Sequence, residues 1–165
     1  MPAHPRSSRA LLVFAAALAA AGPAWAGLTF STDNRPLVFG VMDIGEEREL
    51  VQGGAYHNQL TCSSTNGRAW YLKVSLLTPM TSGSDALPAD AMQWQVVRAS
   101  GTGTVPYLHQ WHPFSLQPET VYLGSADEAA GRPVQIELKY QLNIPEIQVS
   151  GSYQATIRFT LTEVL

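Results

Sequence analysis

The segment Val134-Gln-Ile-Glu-Leu-Lys-Tyr-Gln-Leu-Asn-Ile144 decides the fold class of this chain. Apolar residues occupy every second position of the segment, and polar or charged residues occupy the positions between them. A period of two is typical of a strand that turns one face to the core and the other to water. A helix would scatter the same apolar residues around its circumference. The segment therefore predicts a long, half-buried strand that ends before Pro145.

The segment that follows Gly151 repeats this alternation. Its predicted inward face holds Tyr153, Ala155, Ile157, Phe159 and Leu161. We expect a closing strand over residues 152–165 whose inward face is long enough to complete the core of its own subunit. The start of this strand places Tyr153 in the position of a tyrosine corner, with its hydroxyl bonded to nearby backbone.

A third alternating run covers residues 70–76 and begins with Trp70. The run before it, residues 59–64, reaches it through Thr65-Asn66-Gly67-Arg68. Asn-Gly between two strands is a favoured two-residue turn, because both positions need positive φ. The sequence therefore predicts a β-hairpin here. Trp70 and Phe159 are expected to point inward and pack the middle of the fold, so Phe159→Ala should cost about 3–5 kcal/mol.

Shorter strands are predicted at residues 37–41, 49–52, 93–99, 113–116 and 120–123, and one short helix is allowed at 86–92. The connections are rich in Gly, Pro, Ser and Asp, and no helical period occurs. About seven to nine short strands of this kind predict an all-β fold, an antiparallel immunoglobulin-like β-sandwich. A small closed barrel is the alternative.

The first 26 residues have the three parts of a secretory signal peptide. Arg6 and Arg9 precede an apolar run at residues 10–21, and Ala24-Trp25-Ala26 supplies the small residues of a cleavage site. The apolar run is shorter than the roughly 20 residues that cross a membrane. We therefore predict cleavage before Gly27, a single β-sandwich domain over residues 27–165, and an extracytoplasmic location in the periplasm, at the cell surface or in the medium.

Composition restricts the partners of the chain. Charged residues make up 14% of it and the formal net charge is −3, whereas soluble domains average about 25% charged residues. With no basic cluster outside the signal, a nucleic-acid partner is not expected. The single cysteine, Cys62, alternates with Leu60 in a strand-like run. Burial of the thiol is therefore favoured over an intermolecular disulfide or a redox role.

The segment around Trp111 carries the candidate site residues. Tyr107, His109, Trp111 and His112 lie within six positions of one another, followed by Phe114 and Tyr122. Exposed rings of this kind could bind a glycan. The alternative is that Phe114 and Tyr122 belong to the core and that Trp111 covers one end of the sandwich. His109 and His112 have H-x-x-H spacing, but a third ligand is not near in sequence, so a metal site is not expected.

Two segments resemble known bacterial surface proteins. Trp70-Tyr71-Leu72 and Gly151-Ser-Tyr153-Gln-Ala-Thr-Ile-Arg-Phe159-Thr-Leu161-Thr are similar to the W-x-L element and the closing strand of WxL-type β-sandwich domains. Phe159 stands where that family has Trp. The same residues resemble fimbrial subunits and spore-coat-U-like secreted domains, although the cysteine pairs of the latter are missing. The resemblance implies a surface or appendage protein, and WxL membership would imply attachment to peptidoglycan.

Three functions follow as hypotheses. The first is a non-enzymatic structural or adhesive module of the cell envelope or a pilus-like appendage, without cofactor, whose partners are envelope polymers or other surface subunits. The second is a glycan- or peptidoglycan-binding module that uses the segment around Trp111. The third is a metal-dependent enzyme at His109 and His112. Export, the all-β pattern and the lack of a catalytic constellation favour the first.

The pairing of the mature N-terminal segment distinguishes two modes of assembly. A donor-strand pilin lacks one strand and takes it from a neighbour. Leu28 and Phe30 alternate with polar residues before Pro36, which makes a short strand. We expect residues 27–35 to pair in cis along a sheet edge, and the purified mature protein to be a monomer.

Overall fold

The computed structural model describes residues 27–33, 35–51 and 55–163. The predicted signal peptide and its cleavage site lie outside these residues. The described chain forms eleven strands and two short 3-10 turns. The strands are β1 (Leu28–Thr32), β2 (Glu47–Leu50), β3 (Asn58–Ser64), β4 (Trp70–Leu76), β5 (Met80–Ser82), β6 (Asp85–Leu87), β7 (Met92–Ala99), β8 (His112–Pro113), β9 (Glu119–Gly124), β10 (Val134–Asn143) and β11 (Ile157–Thr162). The 3-10 turns are Ala89–Ala91 and Ala126–Ala130.

The strands form two antiparallel sheets and a separate hairpin. The large sheet has the order β1-β3-β10-β7-β8, and β2 also pairs with β10. The small sheet has the order β11-β4-β9, and β5 pairs with β6. Buried residues from both sheets form one apolar core. The predicted all-β, antiparallel sandwich is therefore confirmed.

The strand order is that of an immunoglobulin-type sandwich with one strand absent from the described residues. Constant-type domains have strands A-B-E-D in one sheet and G-F-C in the other. Here β1, β3, β10 and β7 follow the first order, and β11 and β4 match the F and C positions, but β9 lies on the other side of β4, where the constant-type order has no strand. Among the described residues, no strand pairs with β11 on the side away from β4. The G position beside β11 is thus open in this part of the chain.

The core confirms the alternation in the central strands. In β10 the apolar side chains from Val134 to Leu142 are buried, and in β4 Trp70 and Leu72 are fully buried. Gly124 lies against the Trp70 indole so closely that a Cβ at position 124 would collide with the ring. This contact explains why glycine ends β9. The strands predicted at 59–64, 93–99 and 120–123 are also present, as β3, β7 and β9.

The prediction of a β-hairpin through Asn66-Gly67 is wrong. β3 pairs with β1 and β10 in the large sheet, whereas β4 pairs with β11 and β9 in the small one, so the connection crosses from one sheet to the other. Gly67 has a positive φ of 68°, but Asn66 does not. The Asn66 amide instead donates to the Glu163 carboxylate. A tight turn reverses the chain without specifying that both arms join one sheet.

The closing strand is shorter than predicted. It begins at Ile157 rather than at residue 152, and its inward residues Ile157, Phe159 and Leu161 remain half-buried. Ile157, Phe159 and Leu161 nevertheless pack against the core, so the completion of the core within one subunit stays a prediction. Their partial exposure follows from the edge position of β11 among the described residues, since an edge strand has a neighbour on one side only.

Three local predictions are also corrected. Residues 37–41 are irregular, and the Phe39 carbonyl there accepts from the Arg48 guanidinium instead of joining a ladder. The helix allowed at 86–92 is replaced by β6 and a single 3-10 turn after Pro88. The strand expected at 113–116 is reduced to the two residues of β8. The hairpin of β5 and β6, which turns at Gly83 with a φ of 61°, was not predicted.

Candidate functional site

The rings of Tyr107 and His112, predicted as part of a glycan surface, pack on each other. Tyr107 lies in the irregular connection between β7 and β8, and its ring stacks on that of His112 with centroids 3.9 Å apart. The buried Trp94 ring contacts both nearly edge-on, at 6.0 Å from Tyr107 and 5.2 Å from His112. These contacts tie the pair to the core. The alternation of β7 places Trp94 inward, which is the sequence signal that could have identified it as their partner.

The Trp111 ring contacts a different side chain, that of Lys139. The Lys139 ammonium sits 4.9 Å from the centroid of the Trp111 ring and pairs with the Glu49 carboxylate at 2.8 Å. Lys139 points outward from β10 between two buried apolar neighbours. Trp111 therefore covers the outer face of the large sheet and not an end of the sandwich. One face of its indole is occupied by the ammonium.

The two histidines of the H-x-x-H pattern have different surroundings. His109 is exposed and has a φ of 57°, and its amide donates to the Val96 carbonyl. His112 is half-buried, with its Nε2 3.9 Å from a Glu119 carboxylate oxygen. No group of three or more His, Cys, Asp or Glu among the described residues is arranged to hold a metal ion. Phe114 and Tyr122 belong to the core, as the alternative interpretation expected.

A buried carboxylate network joins two loops at one end of the sandwich. Glu128, in the second 3-10 turn, is 1% exposed and accepts from the Tyr122 hydroxyl at 2.7 Å. Its carboxylate also accepts from the backbone amides of Ser125, Thr102 and Gly103, at 2.9, 2.5 and 3.3 Å. The capping box Ser125-x-x-Glu128 is the sequence signal from which this residue could have been predicted.

The electrostatics of this network match a structural role. Burial opposes ionisation of Glu128, but the hydrogen bonds from Tyr122 and from the amides of Ser125, Thr102 and Gly103 outweigh it and hold the pKa of the carboxyl below its ordinary value. Burial, followed by the Glu128 carboxylate, raises the pKa of Tyr122. The protein supplies all the hydrogen-bond donors that the Glu128 carboxylate needs. The network therefore holds the two loops together and does not present a reactive acid.

Cys62 is fully buried in β3. Burial raises the pKa of its thiol to about 12. The thiolate is the nucleophilic form of cysteine, so a thiol in this environment is inert. The predicted burial of Cys62 is confirmed.

The predicted tyrosine corner is confirmed at Tyr153. Its hydroxyl donates to the Val149 carbonyl at 2.6 Å and accepts from the Gln148 amide at 2.6 Å. Gly151 lies in the bend spanned by this bond, where a Cβ would collide with the Ser82 hydroxyl. These contacts hold the connection that leads into β11.

The edge of β11 that faces away from β4 is open among the described residues. Phe159 of β11 stacks on Phe30 of β1 with ring centroids 6.2 Å apart, and Phe30 is 41% exposed. β1 and β11 belong to different sheets, so this stacking bridges the two sheet edges on one side of the sandwich. Ile157 and Leu161, the other inward residues of β11, are half-buried. An apolar strip is therefore accessible along this side.

The N-terminal strand is fastened in cis at both of its ends. The Thr65 amide donates to the Gly27 carbonyl at 3.0 Å. At the other end, the Asn58 amide donates to Asp33 at 2.9 Å and to the Arg35 carbonyl at 3.2 Å. β1 pairs with β3 at the edge of the large sheet, which confirms for Leu28–Thr32 the prediction that the segment 27–35 pairs in cis along an edge.

None of the helical segments in the described part of the chain has the length and apolar content that a membrane crossing requires. Neither a protein-family model, nor a curated protein, nor a solved structure matches this chain.

Proposed function

We propose that this protein is an exported, non-enzymatic structural or adhesive subunit of the bacterial cell envelope or of a pilus-like appendage, cleaved before Gly27. The observation that carries the proposal is the open edge of β11. A subunit of this kind joins its neighbours when a strand of one molecule adds to the sheet edge of another.

The strand order supports addition at this edge. β11 occupies the F position of an immunoglobulin-type sandwich, and the G position beside it is open among the described residues. An added strand would pair with the backbone of β11 and place alternate side chains over the core. The half-buried inward residues Ile157, Phe159 and Leu161 would then lose their remaining contact with water.

The pairing of β1 within its own molecule favours another molecule as the source of the added strand. β1 is paired with β3 along its whole length, and Gly27 and Asp33 are bonded at its ends. Moving β1 of the same chain to β11 would break these contacts. An added strand therefore comes from a neighbouring subunit, and the resemblance to fimbrial subunits is consistent with this mode of assembly.

Phe30→Ser is the variant that tests the proposal. Its ring borders the open side and is 41% exposed, so the change should weaken association while the fold is retained. Leu108→Ser is the matched control, because Leu108 is 42% exposed and lies in the connection between β7 and β8. Size-exclusion chromatography and unheated gel electrophoresis of material from the native host should show multimers for the wild type and the control, and fewer for Phe30→Ser.

A monomeric wild type under these conditions would contradict the proposal and support the self-complete monomer expected from the sequence. Deleting residues 27–35 identifies the source of the strand. If the ladder is lost, the N-terminal segment takes part in the association, and in a donating copy it would have to leave its pairing with β3. If the ladder persists, another subunit does.

Export is tested by intact mass. The protein recovered outside the cytoplasm should begin at Gly27 and carry no covalent lipid, because the apolar stretch of the signal is not followed by a cysteine. A retained N-terminus or an added acyl mass would contradict this part of the proposal.

The glycan-binding alternative has less geometric support. A sugar platform needs accessible ring faces, whereas Tyr107 and His112 stack on each other and the Lys139 ammonium occupies one face of Trp111. The structural or adhesive function is therefore preferred.

A further inference from the structure

The outer face of the small sheet differs in charge from the outer face of the large sheet. On the large sheet, Arg98 pairs with Glu137 at 2.6 Å and Lys139 pairs with Glu49 at 2.8 Å. Both cations of that face are therefore neutralised by carboxylates on neighbouring strands. The small sheet has two cations of its own, Lys73 on β4 and Arg158 on β11.

Neither of these two cations forms an ion pair with a described residue. The inward residues of β4 and β11 alternate with them, so Lys73 and Arg158 point outward. Lys73 is opposite Thr160 and Arg158 is opposite Ser75 on the paired strands. The two side chains are thus diagonal neighbours, at a Cα separation of roughly 7–8 Å.

No acid on this sheet offsets the two charges. Glu119 is the one acidic residue of its three strands. It lies opposite the inward-facing Val74, and its carboxylate approaches His112 at 3.9 Å. The face is therefore cationic on a chain whose formal net charge is −3.

The remaining outward residues suit a polysaccharide. The Tyr71 ring lies beside Lys73, whose ammonium is 5.8 Å from the ring centroid, and Thr160 and Thr120 add hydroxyls on either side. None of the exposed large apolar residues of the described chain lies on these three strands. Protein interfaces are usually centred on a cluster of large anchor residues, and Tyr71 is the one aromatic ring that these three strands turn outward.

We propose that the outer face of the β11-β4-β9 sheet binds an acidic polysaccharide. Lys73 and Arg158 pair with carboxylates along the polymer, Tyr71 packs against a sugar ring, and the threonine hydroxyls bond to sugar hydroxyls. The inference does not rest on strand addition at β11, because it uses the face of the sheet and not its edge.

The test uses the mature protein, residues 27–165, on immobilised polygalacturonate, with neutral dextran as the uncharged matrix. Wild type should be retained on the polyuronate only, and retention should fall as sodium chloride is raised, because exposed ion pairs are screened by salt. The double variant Lys73→Gln, Arg158→Gln should weaken binding about ten-fold.

The matched control is Arg68→Gln, Arg132→Gln. It removes two positive charges, as the Lys73, Arg158 double variant does. The two arginines are exposed, lie in connections outside the sheets and form no ion pair with a described residue. It should bind as wild type does. Equal loss in both double variants would overturn the proposal, since net charge alone would then explain retention. Absence of wild-type retention would overturn it as well, as would retention on vesicles containing anionic phospholipid without retention on the polyuronate.

The result of the polyuronate test is independent of the result of the test of the proposed function. Multimers on an unheated gel report on strand addition, and retention on the polyuronate reports on the sheet face. Tyr71→Ala adds a third measurement: it leaves both charges in place and should reduce retention without changing its salt dependence.

Discussion

The Tyr122 hydroxyl donates to the Glu128 carboxylate at 2.7 Å, and both side chains are buried. The same carboxylate accepts from the amide of Gly103, and a Cβ at Gly101 or Gly103 would collide with the Tyr122 hydroxyl or the Glu128 carboxylate. The glycines of this loop are therefore required because the backbone wraps closely around a buried charge. Two connections distant in sequence are held together by one carboxylate.

Glu128→Gln should destabilise the protein by about 2–3 kcal/mol, because an amide cannot accept all the donors that the carboxylate accepts. Urea unfolding at neutral pH measures the loss. Glu146→Gln, at an exposed glutamate, should have almost no effect. Equal stability of the two variants would show that the network contributes nothing.

The contribution of Glu128 should depend on pH. Its folded pKa is lowered, so the stability contributed by the ionised form is present above the ordinary pKa of Glu and is lost as the pH falls through the folded pKa. The difference between wild type and Glu128→Gln should therefore shrink in acid. A difference that stays constant down to the lowest pH at which the protein folds would contradict this.

Tyr153→Phe should cost about 1 kcal/mol, since it removes the hydroxyl that bridges Gln148 and Val149. Tyr71→Phe is the matched control, because no hydrogen bond links the Tyr71 hydroxyl to a described residue. Thermal unfolding of the two variants gives the comparison. A loss as large for Tyr71→Phe would mean that the tyrosine corner is not the cause.

Phe159→Ala should destabilise the isolated subunit by about 1–2 kcal/mol, less than the 3–5 kcal/mol typical of a fully buried ring, because Phe159 is half-buried. Phe114→Ala, at a ring that is 2% exposed and stacked on Tyr140, should cost the full amount. Equilibrium unfolding in urea measures both. Equal losses would indicate that the edge of β11 is covered within one molecule.

Cys62 should react slowly with a thiol reagent in the native protein and rapidly after unfolding. Burial raises the pKa of the thiol to about 12, so little thiolate forms at neutral pH and the reagent has no access. Spectrophotometric thiol titration with and without urea tests this. Rapid labelling of the folded protein, or a disulfide-linked dimer on a non-reducing gel, would show an accessible thiol.

Trp111→Ala should lower the thermal midpoint, because the ring is half-buried and lies under the Lys139 ammonium. A double-mutant cycle with Lys139→Gln should give a coupling of about 0.5–1 kcal/mol, typical of a cation–π contact near the surface. Loss of retention on purified cell-wall glycan without a change in the midpoint would instead support the glycan-binding alternative.

The inward face of each central strand was predictable because the geometry of a strand is local. Alternate side chains point to opposite sides of any extended chain, so the pattern at Val134 and Trp70 identifies buried positions before a partner strand is known. The same logic placed Cys62 in the core. The tyrosine corner at Tyr153 was also predictable, because its bond spans only a few residues of one bend.

Only the tertiary structure decided which strands pair and which inward residues stay partly exposed. Asn66-Gly67 has the composition of a hairpin turn, yet its two strands join different sheets, because pairing depends on residues far away in the chain. The partial exposure of Phe159 follows from the edge position of β11 in the described part of the chain, and the Tyr122–Glu128 contact follows from two loops brought together by packing. Alternation in a sequence determines which side of a strand is apolar, whereas the neighbours that cover this side are set by long-range contacts that no local pattern contains.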